Sequence, residues 1–95
     1  MKNTYFYSLV GRIFKILPLR EAGDTAEFRA YVDALWMEMS GALKLFPELW
    51  DNSKYVSVLN IIGYLSMNEV DVAKCKREVF QAINLIQQVQ DGEQI

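Results

Sequence analysis

The side chains that most enzymes use for chemistry are sparse in this sequence. It has no histidine, which removes the commonest general base, most zinc sites and the serine or cysteine triads. The acidic residues do not converge: Glu38 stands alone in its segment, and Glu69 and Asp71 are two positions apart, a spacing that places them on different sides of a helix. The glycines are too scattered to form a phosphate-binding loop. These features favour a non-enzymatic function without a metal ion or a cofactor.

Cys75 is the one nucleophile with unusual neighbours, since Lys74, Lys76 and Arg77 lie beside it in the sequence. Nearby cations lower the pKa of a thiol, so a reactive cysteine is one interpretation. The other is a small apolar position in the core, and the place of Cys75 in a helical seam favours it. The basic residues form either a solvated helix face or a partner-binding patch, for which Lys74 and Arg77 are the candidates.

Aromatic residues supply the remaining binding candidates. Trp50 lies in a polar link outside any periodic face, and tryptophan is favoured at protein interfaces, so it is the best candidate for an exposed anchor; the alternative is that it folds back over the end of the bundle. Tyr5 belongs to the aromatic run at residues 5–7, which is interpreted first as core and alternatively as contact with a partner or a membrane surface. Trp50, Tyr5, Lys74 and Arg77 are therefore the candidate partner-binding residues.

The composition indicates one well-filled domain covering residues 1–95. A chain of 95 residues has room for a single core, and 52% hydrophobic residues leave a surplus for its surface, which favours a homo-oligomer or an obligate protein partner. A formal net charge of −2 gives no global attraction to nucleic acid, and one cysteine does not imply an oxidising compartment. No stretch resembles a membrane span, and Arg12 and Lys15 interrupt any signal-peptide core, so we expect a cytoplasmic protein.

The longest helical pattern, residues 69–90, is predicted to organise the fold. We expect Asn68 to be its N-cap and Gly92 to supply its left-handed C-terminal stop. Its apolar face is broad, so the helix needs neighbours on two sides. The face follows alternating spacings of three and four residues: Val72, Cys75, Val79, Ala82, Ile86 and Val89, with Phe80, Ile83 and Leu85 at its edges.

Three further helices are predicted, near residues 4–17, 25–46 and 53–66. Pro18 should end the first and leave a polar connection, and Pro47 should end the second and open one helical turn. Asp24 should cap the second helix, and Asn52 or Ser53 the third. The first two apolar faces are Phe6, Leu9, Val10, Ile13, Phe14 and Leu17, and then Phe28, Val32, Leu35, Met39, Ala42 and Phe46.

The third of these helices is rich in β-branched residues, which would also suit a strand. Small or polar residues nevertheless recur at every third position, a spacing that keeps them on one helical side. We therefore predict a helix, with a stripe that lets a neighbouring helix approach closely: Ser57, Asn60, Gly63 and Ser66.

Charge is divided unevenly along the chain. Residues 1–20 carry four basic groups and no acid, whereas residues 21–51 carry seven acids and two basic groups. Attraction between neighbouring helices of one bundle is the simplest interpretation. The alternative is a basic N-terminal patch on the first helix that faces an acidic protein or an anionic membrane surface.

Together these patterns predict an all-α protein, a compact antiparallel bundle of about four helices. Its predicted function is that of a small stoichiometric binder or regulator, self-associating in one version of the hypothesis. A DNA-binding regulator is the alternative, because residues 53–90 join a helix, a tight turn and a helix with basic residues in its first half. The length of that second helix and the negative net charge count against DNA binding.

Overall fold

The computed structural model describes the backbone of residues 2–93 and the side chains of residues 4–89. This part of the chain contains no strand, which confirms the predicted all-α bundle. Its principal dimensions are 39 × 22 × 19 Å. The elements in order are α1 (Lys2–Phe14), α2 (Ile16–Ala22), α3 (Thr25–Leu45), a 3-10 helix (Pro47–Asp51), α4 (Ser53–Met67) and α5 (Val72–Glu93).

Helix α5 is the central element, as its broad apolar face predicted, because it packs against α1, α2 and α4. Five of its six predicted seam residues are buried: Cys75, Val79, Ala82, Ile86 and Val89. The sixth, Val72, was assigned wrongly and is 40% exposed, because it is the first helical residue and lies at the edge of the packed region. Val70, in the preceding loop, is buried in the core instead.

The prediction for Pro18 was wrong. The first helix stops earlier, at Phe14, because proline offers no N–H to the carbonyl four residues before it and its ring crowds that carbonyl. After Lys15 the chain becomes helical again, and Pro18 lies in the first turn of α2, where a missing N–H costs little. Gly23, with a φ of 84°, then ends α2 in the left-handed conformation that glycine adopts easily.

Some of the predicted helix caps are confirmed and others are wrong. The Asp24 carboxylate accepts from the Glu27 N–H at 3.0 Å, and the Asn52 side chain accepts from two N–H groups of the first turn of α4, as expected. Asn68 ends α4 instead of capping α5, which is capped by Asp71 through the Lys74 N–H at 2.7 Å.

The stop predicted at Gly92 is also wrong, because α5 continues through it to Glu93.

Side-chain hydrogen bonds join elements that are distant in the sequence. The Arg20 guanidinium donates to the Val70 carbonyl from Nε at 2.9 Å and from Nη2 at 2.7 Å, which holds the α4–α5 loop against α2. An ion pair joins Arg12 of α1 to Glu38 of α3. This pair supports the interpretation that the basic first helix is attracted to the acidic segment at residues 21–51.

Candidate interaction surfaces

Trp50 is exposed, which agrees with the first of the two interpretations of this residue. It lies in the 3-10 helix that opens with Pro47, and 65% of its surface is accessible. The preceding residue, Leu49, is buried in the core, and successive residues of a 3-10 helix point about a third of a turn apart. Burial of Leu49 therefore directs Trp50 toward solvent. Leu45, at the end of α3, is 76% exposed close by in the sequence, so this end of the bundle is apolar.

Tyr5 is tied to the core. Its ring is partly buried and lies 5.7 Å from the Phe6 ring and 6.3 Å from the Phe46 ring, measured between centroids. Its hydroxyl is 3.2 Å from the Tyr55 hydroxyl, which in turn donates to the Met39 carbonyl. Burial raises the pKa of Tyr5. Of the four candidate residues, Tyr5 is therefore the least available to a partner.

Lys74 and Arg77 lie at the opposite end of α4 from Trp50. Lys74 Nζ is 5.0 Å from the centroid of the Tyr64 ring, and the Tyr64 hydroxyl beside it raises the pKa of Lys74. Arg77 is exposed. Since α4 rises about 1.5 Å per residue, the turn before Ser53 and the ring of Tyr64 are separated by roughly 17 Å. One small ligand cannot therefore contact both Trp50 and the basic pair.

The thiol of Cys75 is buried, which opposes the interpretation that it is reactive. No part of the residue is exposed, and burial raises the pKa of the thiol although the charge of Arg20 lowers it in part. The neighbouring cations that suggested activation, Lys76 and Arg77, are exposed on the outer side of α5. Cys75 is thus a core residue.

The outer face of α3 is a surface that the sequence reasoning missed. This helix packs on α2, α4 and the 3-10 helix, and a helix face directed away from its core usually carries charge. Here the exposed line contains no charged residue, and its two large members, Met37 and Leu45, are 69% and 76% exposed. The outer face of α3 consists of Ala26, Ala30, Ala34, Met37, Gly41 and Leu45.

The signal for this face was present in the sequence. The six residues follow one another at spacings of four, four, three, four and four, which is itself a helical period. The outer face lies opposite the predicted core face of the same helix. A helix with two apolar faces needs cover on both sides, and within the described residues only one side of α3 is covered.

A second exposed apolar surface joins α1 and α5. The prediction that Phe14 and Phe80 belong to the core faces was wrong, because they are 50% and 41% exposed. Their rings meet edge to face with centroids 6.1 Å apart, and within the described residues no other helix covers their outer side. We call the two rings, together with the exposed Gly11 and Tyr7 one and two turns before Phe14 on α1, the aromatic patch.

A cleft of about 350 Å³ opens between α2 and α3 and is lined by Lys15, Pro18, Leu19, Glu27 and Tyr31. This volume is at the lower end for small-molecule sites, which start at roughly 300 Å³.

Among the described residues, no three cysteine, aspartate or glutamate side chains approach closely enough to hold a metal ion. The helices in this part of the chain all lack the combination of length and apolar character that crossing a bilayer requires.

Comparisons with protein-family models, with curated proteins and with solved structures find no match to this chain.

Proposed function

We propose that this protein is a small, non-enzymatic binder that packs the outer face of α3 against a helix of another protein. The observation that carries the proposal is the uncovered, charge-free line from Ala26 to Leu45. Its 19-residue span extends for about 28 Å at the helical rise of 1.5 Å per residue. The partner segment is accordingly a helix of about five turns.

The side chains of this face suit a helical partner in particular. Alanine and glycine allow two helix backbones to approach closely, and Met37 offers a flexible apolar side chain that adapts to its neighbour. At Gly41, an added Cβ would meet no neighbouring atom of the described residues within 4 Å, so the space above it is free for a partner side chain. Exposed charges near the face, such as Asp33 and Lys44, would form the polar rim of the interface.

Trp50 is the proposed anchor beyond the end of this face. It is 65% exposed and follows Leu45 by five residues, at the same end of the bundle. Tryptophans that become buried at an interface often contribute much of its binding energy. We place the binder in the cytoplasm, in keeping with its single, unpaired cysteine. Lys74 and Arg77 stay candidates for a separate polar contact.

The test compares partner capture by a tagged wild-type chain with capture by Ala30→Glu, which places a charge on the outer face away from the Arg12–Glu38 ion pair. Gln81→Glu is the matched control, because it adds the same charge to an exposed helical position on α5. The expected result is one protein at near-equal stoichiometry with the wild type and Gln81→Glu, and its loss with Ala30→Glu. Recovery of the same proteins with all three baits would refute the proposal.

DNA binding by the pair α4–α5 stays a prediction of lower rank. The exposed basic residues Lys76 and Arg77 lie in the first half of α5, as that hypothesis requires, but Glu69, Asp71 and Glu78 lie close to them in the sequence. Nuclease-sensitive material in the captured sample, together with retardation of genomic DNA fragments at low salt, would replace the binder proposal with this one.

A further inference from the structure

The aromatic patch lies on the side of the molecule where basic residues are concentrated. Among the described side chains, helices α1, α2 and α5 together with Lys15 carry six basic residues and two acidic ones, whereas the segment from Asp24 to Asp51 carries six acidic residues and two basic ones. Helix α3, which forms most of that segment, packs on α2, α4 and the 3-10 helix, whereas α5 packs on α1, α2 and α4. Acidic and basic residues are therefore concentrated on different sides of the bundle.

Three of these six cations are engaged within the chain. Arg12 forms the ion pair with α3, Arg20 holds the α4–α5 loop, and Lys74 lies over a tyrosine ring of α4. The other three are exposed, and they are Lys15, Lys76 and Arg77. The basic surface that the sequence suggested for the first helix is therefore formed mainly by α5.

Lys76 and Arg77 adjoin the aromatic patch. They precede Phe80 by four and three residues, which places them one helical turn away on the same side of α5. Glu78 is two residues before Phe80, a spacing that directs it to another side of the helix, and it is partly buried. The exposed surface of α5 next to the Phe80 ring is therefore positive.

Lys15 continues this positive surface beside the other ring. It directly follows Phe14, which meets Phe80 edge to face, and the part of α1 from Thr4 to Phe14 contains no acidic residue. The one acidic residue of α2 is the exposed Glu21, six residues beyond Lys15. Three exposed cations thus flank the two rings more closely than any exposed acid of these helices.

We infer that the aromatic patch and its flanking cations bind the surface of an anionic lipid membrane. Tyr7, Phe14 and Phe80, which are 75%, 50% and 41% exposed, enter the boundary between headgroups and acyl chains, where aromatic side chains are favoured. The three cations lie among the anionic headgroups, because their long apolar stems let the charge stay in water. This contact goes beyond the proposed function and uses a different surface from the outer face of α3.

The size of the patch favours a membrane over a protein partner. At 150–250 Å² per fully buried aromatic side chain, the exposed parts of Tyr7, Phe14 and Phe80 amount to roughly 250–400 Å². A standard protein interface buries about 800 Å² per partner and requires a complementary shape. A fluid bilayer requires neither, because the attraction of cations for anionic lipid adds to a small buried apolar area.

The separation of charge also orients the molecule on the membrane. Anionic lipid attracts the side with α1 and α5 and repels the acidic side with α3, although the formal net charge of the chain is −2. The outer face of α3 is thereby directed away from the bilayer and stays accessible to a helical partner. The two surfaces can therefore be occupied together.

The experiment is flotation of the full chain with vesicles of phosphatidylcholine alone, and of phosphatidylcholine containing about one-third phosphatidylglycerol, at low and high salt. The test variants are Lys76→Gln and Tyr7→Gln. Lys54→Gln is the matched control for charge, because Lys54 is exposed on α4 outside the patch. Met67→Gln is the control for apolar contact, because Met67 is 75% exposed, as Tyr7 is. All four side chains are exposed, so each variant should fold, which circular dichroism verifies.

The wild type should bind only the vesicles that contain phosphatidylglycerol, and salt should weaken this binding because it screens the cations. A cation near an anionic surface contributes about fivefold to the affinity, so Lys76→Gln should lower it by about that factor. Tyr7→Gln should lower it at least as much, because apolar contact is lost. Lys54→Gln and Met67→Gln should stay within about twofold of the wild type.

Three outcomes would overturn the inference: no flotation with either kind of vesicle, equal binding to the neutral vesicles, or equal losses with Lys76→Gln and Lys54→Gln. A dimer in sedimentation velocity without lipid that Tyr7→Gln disrupts would assign the patch to a second copy instead. Loss of a captured protein with Tyr7→Gln would assign it to a protein partner.

Ala30→Glu separates this inference from the proposed function, because it should lose the captured partner and keep the vesicle binding. A wild-type chain that captures a partner but binds no vesicle would reject the membrane contact and retain the proposed function. A chain that binds anionic vesicles but captures no partner would do the reverse.

Discussion

Replacing glycine by alanine at two positions should change stability in opposite directions. Gly23 has a φ of 84° and its N–H donates to the Arg20 carbonyl at 3.3 Å, so this residue must stay left-handed for α2 to end correctly. An alanine held in that conformation costs about 1–2 kcal/mol. Gly41 is helical, exposed and has free space around it, so alanine should stabilise α3 by about 1 kcal/mol. The two variants should therefore differ by about 2–3 kcal/mol in the free energy of unfolding.

Thermal unfolding at low micromolar protein, followed by circular dichroism, measures this difference directly. In a domain of this size 1 kcal/mol corresponds to a change in Tm of about 4–8 °C, so the Tm values of the two variants should be well separated. Urea unfolding followed by tryptophan fluorescence supplies the free energies, with equal m values showing that the unfolded states are comparable. If Gly23→Ala is neutral, or Gly41→Ala lowers the stability, the assignment of the two backbone conformations is wrong.

Three further outcomes test the core and the caps. Tyr55→Phe should lower the free energy of unfolding by about 1 kcal/mol, because it removes the hydrogen bond to the Met39 carbonyl from a fully buried position, and urea unfolding would detect no change if that bond were absent. Cys75 should react with a maleimide only after the chain is unfolded, and rapid labelling of the native protein would contradict its burial. Asp71→Ala should cost about 1 kcal/mol as the loss of an N-cap, whereas Asn68→Ala should cost less, and equal losses in urea unfolding would contradict the revised cap of α5.

The helical boundaries show which sequence rules were sufficient. Asp24 and Asn52 cap their helices through N–H groups only two or three residues away, so the sequence contains everything that the cap needs. The prediction that Pro18 is followed by a non-helical connection failed because it considers only the hydrogen bonds of the first helix. The helix is interrupted at Lys15, and packing of α2 on α3 and α5 then stabilises a new helical turn that contains the proline.

The candidate interaction residues also differ in whether their exposure could be foreseen from the sequence. The exposure of Trp50 was predictable as one of two possibilities, since the tryptophan falls outside every periodic face while Leu49 beside it completes the core. The exposure of Phe14 and Phe80 was not, because hydrophobic periodicity identifies the side of a helix that faces apolar neighbours without specifying how far those neighbours extend. These two rings lie at the edge of the α1–α5 contact, and whether an edge residue is covered depends on a third helix.

From the sequence alone it follows that the protein is helical, that α3 begins after Asp24 and α4 after Asn52, and that most of the seam residues of α5 fill the core. Helix formation and capping depend on contacts within about four residues, so their causes lie in the local sequence. The tertiary structure decided which apolar residues were left uncovered: the outer face of α3 and the aromatic patch. Burial is a property of all the helices together, because a side chain leaves water only when elements distant in the sequence cover it.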